Sequence, residues 1–199
     1  MELLLDEIDK ETVQNAMIMK DNSLDKLLSK EDYKLLDSLF KAKTGSGIFL
    51  YNKMKPFFLY SQLLQMSMNK DMSMALDMHF LGIARKNNKK IYGVEKFEEQ
   101  IAAIDQLTLQ EQCKMLIEAI KDTVAEMKKF DELLNVYMKA DLEKMMELTK
   151  DTSLPAGFND AFLLTRNIRM AKSIDKFISK QPTFSAIGAA HLGGENGVI

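Results

Sequence analysis

The chain has a single cysteine, Cys113, so no disulfide can form within it and no second thiol stands by as a metal partner. Cys113 reads as a small residue of the core or of a helix surface. Long apolar runs are also missing, and none reaches the roughly 20 residues that a membrane-spanning helix needs. The opening MELLLDEIDK has no basic stretch and only three consecutive leucines, which is not the pattern of a signal peptide. Charge of one sign is lacking too. Twenty-seven basic and 29 acidic residues leave a net charge of −2, which builds no basic field for a nucleic acid. There are two histidines, so any imidazole chemistry rests on His79 or His191.

What is present is apolar content. Hydrophobic residues make up 46% of 199 positions, enough for one sizeable core or two small ones. Three short apolar segments read as strands: MELLLDEI at 1–8, KIYGVE at 90–95 and TFSAIG at 183–188. Nearly everything else carries helical spacing. A first helix runs from Asp9 to about Met19. Ser29 caps a helix that stops at Gly45, and Pro56 starts another after a Gly-Ser-Gly turn. MSMALDMHFLGIARKNN feeds KIYGVE, and FEEQIAAID follows it. Thr108 to Glu111 has capping-box spacing and opens a helix to about Phe130. DELLNVYMKADLEKMMELTKD continues as one or two helices. Pro155-Ala-Gly157 marks a break, and the last long helix, GFNDAFLLTRNIRMAKSIDKFISKQ, stops at Pro182.

This order predicts an α/β fold leaning to α+β: a small parallel or mixed sheet of about three strands, a large helical insertion and covering helices. One domain over 1–199 is expected, with helical elaboration at about 20–88 and 108–180. The fifteen methionines suit either adaptable core packing or a groove for a partner peptide.

Strand ends are where sheet enzymes gather reactive groups. His191 closes the Gly188–His191 G-x-x-H, followed at once by Gly193-Gly194-Glu195; it reads as an active-site residue or as a polar residue of a C-terminal tail. Gly188 would let the strand end turn sharply. His79 shares an arc with Met72, Leu76, Phe80 and Ile83 and reads as a core histidine. In DEID, Asp9 suits a helix cap, which leaves Glu7 as the sharper candidate for a ligand or base. Glu95 ends the second segment in the same way. Asn167 lies in the arc of Ile168, Ala171, Ile174 and Ile178, so its buried amide must tie down a neighbouring loop. Arg166 falls on another side of that helix and reads as a solvated or ion-paired surface residue. Glu7, Glu95 and His191 would meet at one sheet edge, where Glu and His suit a divalent metal or a general acid/base pair.

Taken in order, DEID, ALDMHFLGIARKNNKKIYGVEKFEEQIAAID, LLTRNIRMAKSI and FSAIGAAHLGGENGVI resemble the TraB/PrgY/GumN family, relatives of the Tiki-type metalloproteases. The resemblance implies an α/β core with an embedded helical region. It also implies two Gly-x-x-His motifs and a strand glutamate that hold a divalent metal (manganese, cobalt or zinc) for hydrolysis of peptide bonds. Gly188 to His191 matches the second motif, with Glu195 in its loop. Glu7 matches the strand glutamate, Arg166 and Asn167 the Arg-Asn pair, and Glu95 the acid of the middle strand. His191 and Glu7 would be ligands or acid/base groups, with Arg166 and Asn167 orienting them or facing an oxyanion. The family's first Gly-x-x-His has no counterpart here, since no G-x-x-H precedes residue 188. The chain is therefore expected to be an internal portion of the family domain, with weak or absent metal binding and catalysis by itself. A bacterial cell-envelope or secreted full-length protein would fit the resemblance.

Two functions compete. One is a metal-dependent hydrolase acting on a peptide or protein. The other is a non-catalytic module whose Met- and Phe-rich helices grip a peptide or hydrophobic ligand. The residues leave the oligomeric state open.

Overall fold

The computed structural model describes residues 8–67, 75–149, 157–158 and 160–199. Of these, 69% are helical and 1% lie in a β-bridge. No helix among the described residues is long and apolar enough to cross a membrane. The chain divides into two compact units, one of residues 9–69 and 107–132, the other of 1–8, 70–106 and 133–199.

The first unit is built from short, well-capped helices. α1 (Lys10–Met17) starts at Asp9, whose carboxylate accepts from Thr12 N at 2.8 Å. After α2 (Leu24–Leu27), Ser29 caps α3 (Lys30–Thr44) through Asp32 N at 3.0 Å, and Gly45 ends it in the left-handed region at φ 74°. A 3₁₀ turn (Ile48–Tyr51) leads to α4 (Pro56–Ser67), and α7 (Leu109–Lys121) packs against α2, α3 and α4. Along α7 the buried residues are Gln112, Cys113, Leu116, Ile117 and Ile120, one continuous stripe at helical spacing. Leu116, Ile117 and Ile120 join Leu24, Leu36, Phe40, Ile48, Leu59 and Leu63 in the core. Gln112 donates to the Leu107 carbonyl at 3.0 Å and accepts from Phe57 N at 3.3 Å. An N–H left over at the start of α4 thus finds its partner on another helix.

Cys113 is buried, and desolvation pushes its thiol up to about 11. At mildly alkaline pH it therefore stays a protonated, inert thiol. Labelling by a chromogenic disulfide reagent is expected to be negligible in the folded chain and complete in urea. Rapid labelling without urea would contradict this packing.

Aspartate recaps the chain twice, once inside an expected helix and once within a stretch expected to hold one or two. Asp122 interrupts the helix expected to reach Phe130 and caps α8 (Thr123–Met138) through Ala125 N at 2.9 Å. Ala140, at φ 54°, precedes Asp141, which caps α9 (Leu142–Thr149) through Lys144 N at 2.9 Å.

The second unit contains α5 (Leu76–Lys86), α6 (Phe97–Ile104), α9, a π-helical turn (Asp160–Leu164), α10 (Thr165–Ile178) and a 3₁₀ turn (Ala189–His191). The expected three-strand sheet is not found among the described residues, which are mainly helical. KIYGVE and TFSAIG have no regular secondary structure, and MELLLDEI lies outside the described residues except for Ile8. The one bridge among the described residues joins Ile18 to Met54 in the other unit, flanked by Met19 N to Lys53 O at 2.7 Å and Lys55 N to Met17 O at 2.8 Å. A strand exists only through a neighbour that completes its ladder. Here the apolar side chains of both segments pack on helices instead: Tyr92 stacks on Phe177 of α10 at 4.7 Å, and Phe184 meets Phe80 of α5 at 5.1 Å.

Candidate functional site

The site lies on α10 and gathers what comes before and after it in sequence. Glu95 lies just before Lys96, the N-cap of α6, and its carboxylate faces Arg166. Arg166 Nε donates to Oε1 at 2.5 Å and Nη2 to Oε2 at 2.8 Å. Nη1 donates to the Phe162 carbonyl at 3.1 Å, with the guanidinium 5.2 Å from the Phe162 ring centroid. Both oxygens of the carboxylate are thereby engaged in a bidentate, charge-assisted fork. Arg166, expected on the surface, is 2% exposed.

The next residue holds the histidine. Asn167 Nδ2 donates to the Asn196 carbonyl at 2.8 Å, so its Oδ1 faces the His191 ring, 2.6 Å from Nδ1. An amide oxygen only accepts, so Nδ1 carries the proton, and in the neutral ring the lone pair is on Nε2. The main chain fixes the same residue. His191 N donates to the Gly188 carbonyl, and the His191 carbonyl accepts from Val198 N, both at 2.9 Å. His191 and Asn167 are buried. Adjacent positions on one helix thus join a buried ion pair to a buried, oriented imidazole.

A model of the TraB/PrgY/gumN family matches residues 1–199. The chain belongs to the TraB/PrgY/gumN family. No curated protein and no solved structure matches the chain.

With the TraB/PrgY/gumN family established, its expected residues fall into three groups. Glu95, Arg166, Asn167 and His191 are brought together. Gly188 contributes only main chain, and at φ −61° it uses none of glycine's freedom; the left-handed glycine of this loop is Gly194, at φ 84°. Glu195 is exposed and outside the cluster. Glu7 lies outside the described residues.

Three expectations from helical angle need correction. His79, expected in the core, is exposed on α5, with its ring 6.0 Å from that of Phe80. Ile168 and Ile178, expected on the buried arc of α10, are 47% and 53% exposed. The buried stripe is instead Arg166, Asn167 and Met170, with Ala171, Ile174 and Phe177 half-buried beside it. The stripe runs at ordinary helical spacing; its arginine disguises it, because a charge counts as outward unless its partner is known. Asn196 and Val198 were not recognised at all. They act through main-chain atoms, which leave no mark on residue type.

The TraB/PrgY/gumN resemblance implies a divalent metal, and the donor set can be tested against it. Among the described residues, no three His, Cys, Asp or Glu side chains gather around one point. Both oxygens of Glu95 are held by Arg166, Glu195 is exposed, and His191 supplies one imidazole nitrogen. A divalent site needs three or four ligands. This set alone does not fit one.

Proposed function

We propose that the chain is a slow hydrolase of peptide bonds in which His191 is the working group. The carrying observation is the 2.6 Å contact between His191 Nδ1 and Asn167 Oδ1, which leaves Nε2 as the basic nitrogen. In this reading, Nε2 takes a proton from the water that attacks the peptide carbonyl. The imidazolium then returns it to the departing amine as the C–N bond breaks. Asn167 orients the ring and stabilises the imidazolium, the task of the third member in a triad. Arg166 and Asn167 donate to Glu95, Phe162 and Asn196, and in this reading they serve as positioning groups. Family membership supports the reading, and no step depends on a metal.

The test is hydrolysis of a quenched-fluorescent peptide library by the 199-residue chain. Slow cleavage is expected, reduced about 10²–10⁴-fold by His191→Ala, the usual worth of a general base, and unchanged by His79→Ala. No cleavage by the folded chain, or cleavage that survives His191→Ala, would overturn the proposal. Calorimetric titration with manganese, cobalt and zinc salts separately reads any metal binding.

A second reading, the non-catalytic module, would use a shallow open cleft in the other unit. Leu39, Tyr60, Leu63, Ile120 and Met127 line it, with Lys43 and Glu126. The lining contains one methionine and no phenylalanine, so the Met- and Phe-rich stretch is not what forms it. Capture of a peptide that is neither cleaved nor affected by His191→Ala would favour this alternative.

A further inference from the structure

After His191 the chain makes a closed return, Leu192 to Val198, and three of its contacts bear on the imidazole. The Asn196 carbonyl holds Asn167 Nδ2 at 2.8 Å. Val198 N holds the His191 carbonyl at 2.9 Å, and Gly197 N closes the loop on the Gly194 carbonyl at 3.0 Å. Between the two anchoring residues sits Gly197. A Cβ placed there would lie 2.2 Å from the Leu192 carbonyl oxygen and 2.7 Å from that of Gly193, both main-chain atoms. At Gly193 a Cβ would come within 3.0 Å of Leu142 Cβ, so the loop is also seated against α9. Main chain lies on main chain here, at an approach only glycine permits.

The chemistry of Asn167 makes this return consequential. A side-chain amide has an acceptor end and a donor end, and what faces them decides its orientation. The Asn196 carbonyl demands the donor end, which turns the acceptor end to His191. Remove that demand and the amide is free to rotate by half a turn. It would then present N–H groups to Nδ1, which would have to carry the lone pair, and the ring proton would move to Nε2. The basic nitrogen would point at Asn167 and not into the site.

We infer that the Leu192–Val198 return is a brace that sets the tautomer of His191, with Gly197 as its positioning residue. This rests on the reading of His191 as the working imidazole, yet its test does not require turnover. The chain is grown with ¹⁵N-labelled histidine, and two-bond ¹H–¹⁵N correlation spectra are recorded at a pH where both rings are neutral. Exposed His79 serves as the internal reference. His191 is expected in the Nδ1–H form in the wild-type chain. Gly197→Ala is expected to lose that signature, with an Nε2–H form appearing. Adding Asn167→Asp to Gly197→Ala should restore Nδ1–H, because a carboxylate offers acceptors at both ends; collapse of the loop alone would not be rescued in this way.

An unchanged Nδ1–H signal in a folded Gly197→Ala chain overturns the brace. So does an Nε2–H form of His191 in the wild type, a result that stands even where Gly197→Ala does not fold. The two readings fail separately. Wild-type Nδ1–H that responds to Gly197→Ala, with no peptide cleavage, keeps the brace and removes the hydrolase. Cleavage that depends on His191, with a tautomer indifferent to Gly197→Ala, does the reverse.

Discussion

Glu95→Met is expected to lower the free energy of unfolding by about 3–5 kcal/mol, the cost of breaking a buried ion pair from one side. The Arg166 side chain is 3% exposed and that of Glu95 0%. Without the carboxylate, the buried guanidinium loses both bonds of its charge-assisted fork and keeps the Phe162 carbonyl and ring, which are neutral groups. Arg166→Met should cost a similar amount by stranding the carboxylate. The double variant Glu95→Met/Arg166→Met is expected to lose less than either single one, since it buries no unpaired charge. Urea unfolding of all four chains closes this cycle. Additive losses would mean that the pair is not coupled as its geometry requires.

Phe40→Ala is the second large effect, about 3–5 kcal/mol for deleting a buried aromatic side chain. Phe40 is 0% exposed within the core of the first unit, and its ring lies 5.5 Å from that of Tyr51. Phe49, nine residues further along, is the control, being 67% exposed. Phe49→Ala should change stability by no more than about 0.5 kcal/mol. The same chemical change at two positions thus separates burial from residue type. Comparable losses at both, measured by urea unfolding, would contradict the assigned core.

Much of the fold was legible because its signals are local. Asp9, Ser29 and Thr108 bond to groups three residues away, so each cap could be read from a few letters. Gly45 and Pro56 mark an end and a start for reasons of backbone conformation alone. The sheet was misread because apolar, β-branched segments bounded by turns show only that a strand is tolerated. Whether KIYGVE or TFSAIG becomes one depends on a neighbouring ladder, and among the described residues neither has one.

The candidate site divides along the same line. Attention to the Gly188–His191 motif came from the family resemblance, while by itself the sequence determined that most of the chain carries helical spacing and that Asn167 is a buried amide tying down a loop. These follow from helical period, capping chemistry and the need of buried amides for partners, all of which act over a few residues. Only the tertiary structure decided that Arg166 turns inward to Glu95, 71 residues away, that His79 faces outward, and that the Asn196 carbonyl orients the amide that orients His191. Those outcomes depend on which charge, carbonyl or ring stands opposite. Residue type and spacing carry no record of that.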